Sequence, residues 1–210
     1  MPSFIHTYDI STNVLPTYSS IVIDDLHSQL NQYSNIGVAC LYADYKDQIN
    51  QTLVHILGSF LHQFLTTSQQ PIPDEVVQRL QDIRRQRKVV ETEHILALLK
   101  IRLHQFKRAF ICIDAVDELE PKVRRQLLNA LKDLSHNNTR LFFTGRGHIE
   151  GEVLEFFQVT QEYTVTISAN GQDIEAYVRQ QIIDDPYQGA MDEVLEKEIV
   201  DAITKRAQGM

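Results

Sequence analysis

Apolar positions in this chain follow two kinds of pattern. Val38-Ala39-Cys40-Leu41-Tyr42-Ala43 and Ala109-Phe110-Ile111-Cys112-Ile113 are short unbroken runs ending at Asp44 and Asp114, and they read as strands covered on both faces. Arg140-Leu141-Phe142-Phe143-Thr144 reads as a third strand, followed by Gly145-Arg146-Gly147. Tyr163–Ile167 alternates more strongly and is expected nearer a sheet edge. Between these runs the apolar spacing turns helical. Helices are predicted over Ser19–Gln32, Gln48–Thr67, Glu75–Arg87 with Asp74 as its cap, Thr92 to about Phe106, and Pro121–Ser135. Two more amphipathic helices, about Gly171–Asp184 and Met191–Ala207, form the tail. Short buried strands alternating with helices predict an α/β fold, a parallel sheet with right-handed crossovers.

Composition narrows the class. The 210 residues are 43% hydrophobic and 23% charged, with only 8 Gly and 6 Pro. This excludes collagen-like, disordered and disulfide-scaffold chains. Cys40 and Cys112 both sit inside apolar runs and read as small core residues of a reducing compartment. There is no uninterrupted apolar stretch of membrane-spanning length and no basic-then-apolar leader. The chain therefore reads as cytosolic or nuclear, with the cytoplasm the expected compartment.

Charge is segregated. Residues 1–146 carry 16 basic and 15 acidic side chains, whereas 147–210 carry 4 basic and 13 acidic. A basic stretch, Arg79 to Arg108, contains Arg84-Arg85-Gln86-Arg87-Lys88. It reads as a solvated helix face in preference to a nucleic-acid site, because no aromatics interleave it for stacking. Polyanion binding through it stands as an alternative function, and nucleic acid is not the expected partner.

The chemistry gathers at strand ends, where open parallel sheets bind ligands. Asp114 is followed by Asp117 and Glu118. Carboxylates at such a mouth suit a Mg²⁺–nucleotide complex, one near the metal's water shell and another orienting a water. Thr144 and Arg146 end the next strand, where a guanidinium would reach a terminal phosphate or pair with the Asp114–Glu118 cluster. Asp44 reads as a strand-end turn residue. A metal-dependent hydrolase using Asp114, Asp117 and Glu118 is a further alternative. No His or acid cluster with metal-ligand spacing supports it, and the eight His are scattered.

These residues carry a resemblance. Phe110-Ile111-Cys112-Ile113-Asp114-Ala115-Val116-Asp117-Glu118-Leu119 resembles the extended Walker B motif of NACHT-type signalling NTPases. Leu141-Phe142-Phe143-Thr144-Gly145-Arg146 resembles their sensor-1 strand, and Ser19–Leu26 the helix after their P-loop. Spacing and acidic tail resemble the nephrocystin-3-like N-terminal region of fungal NACHT proteins with ankyrin-type repeats.

The resemblance implies a P-loop NTPase-like three-layer core of the STAND class, a nucleotide-controlled switch using Mg-ATP or Mg-GTP. Asp114 would take the Mg²⁺ role, Asp117 and Glu118 the acidic pair, and Thr144 and Arg146 the nucleotide contacts. Protein partners are implied, by self-association or through flanking repeat or effector domains. Residues 19–170 would be the core and 171–210 the start of a helical or winged-helix extension.

One signature is missing. No Gly precedes Gly37 and no Lys precedes Lys46, and Ile10–Tyr18 stands where the phosphate loop belongs. Residues 1–18 are thus expected to be atypical, and the first strand and P-loop to be absent. Either the chain is a truncated or mis-assembled product, or it has degenerated. In both cases nucleotide binding and hydrolysis are expected to be impaired.

Overall fold

The structure is a computed structural model describing residues 4–9, 15–33, 35–67, 70–87, 89–135, 138–167, 171–184 and 192–207. The elements in chain order are β1 (Phe4–Asp9), α1 (Leu15–Gln32), β2 (Ile36–Tyr42), α2 (Leu53–Thr66), α3 (Asp74–Arg85), α4 (Thr92–Leu103) and β3 (Arg108–Asp114). Then follow α5 (Pro121–Leu134), β4 (Thr139–Arg146), α6 (Glu150–Phe157), β5 (Thr164–Ile167), α7 (Gly171–Ile183) and α8 (Glu193–Ala207). Five parallel strands form one sheet in the order β2-β3-β4-β1-β5. The expected α/β class holds, and β5 lies at an edge, as its alternation predicts. Among the described residues no helix is long and apolar enough to cross a membrane.

One expectation fails. The first strand, expected to be absent, is present: Phe4–Asp9 pairs in register with β4, Thr7 opposite Thr144, and with β5 on its other side. Phe, Ile, Thr and Tyr favour strands, but six residues of mixed polarity carry no clear period, so only the gap between β4 and β5 identifies them. Residues 10–14, where the phosphate loop belongs, lie outside the described residues.

Other differences are local. α1 begins at Leu15, four residues before Ser19. α2 begins at Leu53, where the Thr52 hydroxyl accepts from the His55 N–H at 3.4 Å, after a 3-10 turn over Tyr45–Asp47. Pro73, not Asp74, is the N-cap of α3; Asp74 instead places its charge in the first turn, where the helix dipole favours it. α6 was not expected, its eight residues being too few to establish a period.

Alternation along the strands splits the core between two faces. Ala39, Ile111, Ile113, Leu141 and Phe143 point toward α2, α4, α5 and α6, which add Leu57, Phe60, Phe64, Leu99, Leu127, Leu131 and Val153. Val38, Cys112 and Phe142 point the other way, where α1 covers them with Ile23, Leu26 and Leu30. At Gly37 a Cβ would stand 2.7 Å from the Phe106 ring, so this close approach requires glycine. The outer edge of β2 is closed by side-chain amides. Gln63 of α2 donates to the Cys40 carbonyl at 2.9 Å and accepts from its N–H at 2.8 Å, satisfying an edge that would otherwise template another strand.

Candidate functional site

The sheet presents the carboxyl ends of β3 and β4 side by side, and the sequence-predicted residues meet there. Asp114 is only 8% exposed. By alternation its side chain shares the α1 face with Cys112. The Thr144 hydroxyl donates a short hydrogen bond to Asp114 Oδ1 and accepts from the Ala115 N–H at 2.9 Å. Ala115 adopts the left-handed conformation, φ 54°, uncommon for a residue with a side chain. It turns the chain into a 3-10 turn over Val116–Glu118, and Val116 and Leu119 anchor that turn in the larger core.

Asp117 and Glu118 close on Arg146. The Arg146 guanidinium lies 3.6 Å from Asp117 and 3.8 Å from Glu118, and its backbone N–H donates to Asp117 Oδ1 at 3.2 Å. The Asp117 side chain is almost wholly buried while that of Arg146 is half exposed. Glu118 also accepts from the Tyr45 N–H at 3.2 Å, and its carbonyl accepts from Gln48 at 3.1 Å, tying the acidic turn to the loop after β2. A Cβ on Gly145 would stand 2.9 Å from Ile149 Cδ1 and 3.2 Å from Asp117 Oδ1. Only glycine lets the buried carboxylate sit this close to β4.

Residues outside the motifs hold the turn from behind. Arg124 of α5 donates to the Leu119 carbonyl at 3.2 Å and pairs with Glu152 of α6 at 3.0 Å. Neither was anticipated. Arg124 looks like one more charge on an amphipathic helix, and Glu152 lies on a helix that the pattern does not reveal. Asp44 behaves as a turn residue, its carboxylate accepting from the Lys46 N–H at 2.8 Å.

Cys40 and Cys112 are free thiols opposite one another on β2 and β3, Cys112 two residues before Asp114. The Cys112 thiol, donating toward Cys40 and buried, is pushed well above its ordinary range, while Cys40, receiving that hydrogen bond, is drawn below it despite partial burial. Tyr42, ending β2, is raised by burial and by the nearby sulfurs and by Asp114 and Asp24. Among the described residues no three His, Cys, Asp or Glu side chains converge as a metal-ligand group. A cation here would meet the Asp114 carboxylate and draw its other ligands from water or phosphate, which suits Mg²⁺.

Known proteins bear on the fold. It is similar to the Aeropyrum pernix ORC1 protein, solved in complex with DNA, at TM-score 0.52 and 13% identity over 89% of this chain and 46% of that one. It is also similar to the Aeropyrum pernix ORC2 protein, solved in ADPNP–ADP complexes, at TM-score 0.51 and 11% identity over 86% and 45%. The chain thus spans less than half the length of either, and identities this low speak for the fold alone, one that resembles P-loop NTPase folds. No curated protein sequence matches the chain. A family model described as nephrocystin 3, N-terminal, matches residues 17–146, from α1 through Arg146. That span covers most of the chain and every residue of the acidic site: the chain belongs to the nephrocystin 3 N-terminal family.

Proposed function

We propose that the chain is a NACHT-like regulatory module of the STAND type, working through protein contacts in the cytoplasm, whose nucleotide site has lost its grip on phosphate. The observation that carries this reading is an imbalance within one site. On the β3–β4 side, Asp114, Asp117, Glu118, Thr144 and Arg146 are joined by hydrogen bonds and ion pairs. On the β1–α1 side, the connecting residues are Ile10-Ser11-Thr12-Asn13-Val14, with neither glycine nor lysine. Phosphate cradles require backbone N–H groups freed by glycine and one lysine.

Mg-ATP or Mg-GTP therefore fits only half of the site. When bound, the nucleotide would supply the phosphate oxygens and metal charge that Asp114 faces, and its terminal phosphate would compete with Asp117 and Glu118 for Arg146. Thr144, holding both Asp114 and the Ala115 N–H, would keep the acid oriented. Without the cradle no hydrolytic step follows, and the acids and Arg146 neutralise each other instead.

Titration calorimetry tests this reading. Mg-ATP and Mg-GTP are expected to give no measurable heat with the unaltered chain. Replacing residues 10–14 by a glycine-rich loop ending in Lys-Ser is expected to restore binding that Asp114→Asn weakens. Micromolar binding by the unaltered chain, or a grafted loop that fails to restore affinity in a folded protein, defeats the reading.

A further inference from the structure

The nucleotide site makes no use of the chain's two cysteines, yet the sheet sets them face to face. Cys40 stands directly opposite Cys112 in the parallel register of β2 and β3. Neighbouring strands lie about 4.8 Å apart, and a disulfide spans Cα separations of roughly 4.4–6.8 Å. By alternation both side chains leave the sheet on the α1 face. There Cys112 joins Val38 and Phe142 in the core, and Cys40 packs against them. Both are free thiols, and that of Cys112 donates toward the Cys40 sulfur. The strands already hold the two sulfurs in contact.

Exposure divides the pair. Cys112 is fully buried, whereas Cys40 is only partly so. β2 is an edge strand, and α1 supplies the layer over this face. A small polar oxidant therefore meets Cys40 first and reaches Cys112 only through it.

We propose that Cys40 and Cys112 are a peroxide-modified pair, Cys40 the thiol that reacts and Cys112 the thiol that resolves it into a reversible disulfide between β2 and β3. In the first step the Cys40 sulfur attacks one oxygen of hydrogen peroxide. The O–O bond breaks, water leaves, and Cys40 is oxidised to a sulfenic acid. The Cys112 sulfur then attacks the Cys40 sulfur, the S–O bond breaks, and a second water leaves with the Cys112 proton. Two thiols and one peroxide thus become one disulfide and two waters, with two electrons passing from sulfur to oxygen. The bond would tie β2 to β3 two residues before Asp114. Its Cα spacing falls near the short end of the disulfide range, so a dithiol should reduce it readily. In a reducing compartment such a bond is transient and redox-sensing, unlike a structural disulfide. The inference needs only the fold, so nucleotide binding can fail without affecting it.

Thiol counting on the full chain tests the pair. After hydrogen peroxide treatment of the folded protein and then denaturation, the count of free thiols should fall from two to none. The intact mass should drop by two hydrogens, and dithiothreitol should restore both thiols. An unreduced digest should contain one peptide pair joined through Cys40 and Cys112. Cys112→Ala should leave Cys40 as a sulfenic acid that dimedone traps, and Cys40→Ala should slow oxidation of Cys112 roughly tenfold or more. Circular dichroism would verify that each variant is folded, and the unaltered chain alone decides whether the bond forms. Both thiols surviving peroxide in the folded chain overturns the proposal. So does Cys40 passing on to sulfinic acid while Cys112 stays a free thiol, and so does a disulfide that joins two chains instead of two strands.

Discussion

The two faces of the sheet are held very differently. One carries α2, α4, α5 and α6 in a continuous core that also contains Val116 and Leu119 of the acidic turn. The other is covered by α1 through Ile23, Leu26 and Leu30, over Val38, Cys112 and Phe142. The acidic turn of the proposed nucleotide site is thus fastened to the thick side, while Asp114 and the half that lacks phosphate chemistry belong to the thin one. Local stability follows buried apolar contact, so the acidic turn is expected to outlast α1 when the molecule opens.

The strongest way to break the thick face is through Arg102. Its side chain is wholly buried in α4 and donates to the carbonyls of Phe64, Gln70 and Pro71 at 2.8–3.0 Å, while stacking 4.9 Å from the Phe106 ring. Burial lowers its pKa, but an arginine stays charged. Arg102→Ala leaves these carbonyls without their charged donor and opens a cavity, so a loss of about 3–5 kcal/mol is expected in urea unfolding. A loss under about 1 kcal/mol would show that the guanidinium merely sits where it fits.

On the thin face the expected effect is smaller and more local. Ile23→Ala should cost about 2 kcal/mol, and hydrogen exchange should show α1 losing protection while β3 and β4 keep theirs. Equal loss in all three would mean that the faces unfold as one and that the contrast has no dynamic content.

The smallest effect concerns the thiols beneath α1. Cys40, lowered by the hydrogen bond from Cys112, should alkylate with iodoacetamide at lower pH than the buried, raised Cys112. Removing the donor by Cys112→Ala should move the Cys40 pH–rate curve upward. For stability the lowered thiol works in the opposite sense to a lysine whose pKa is raised by folding: its contribution is present above the ordinary thiol pKa and fades as pH falls through the lowered one. Identical curves for both thiols would refute the asymmetry.

The acidic site was legible because strand ends advertise themselves. An apolar run broken by Asp114, and another closed by Thr144, Gly145 and Arg146, locate the carboxyl edge of a sheet before any fold is known. Arg124 and Glu152 were not legible, since a partly buried ion pair between two helices leaves no mark on either helix's period. The chemistry at Gln63 was equally hidden. Nothing in a half-buried helix glutamine announces that both ends of its amide complete a strand edge 23 residues away.

The sequence by itself determined the α/β class, most of the helices, the five residues at the strand mouths, the missing lysine and glycines, and the segregation of charge. All of these depend on local order along the chain: periodicity, propensity and residue type. The tertiary structure alone decided that Phe4–Asp9 is a central strand, because six residues of mixed polarity acquire that role only by filling the space between β4 and β5. It also decided that Asp117 is buried against Arg146. Such relations join residues distant in sequence, and packing is what brings them together.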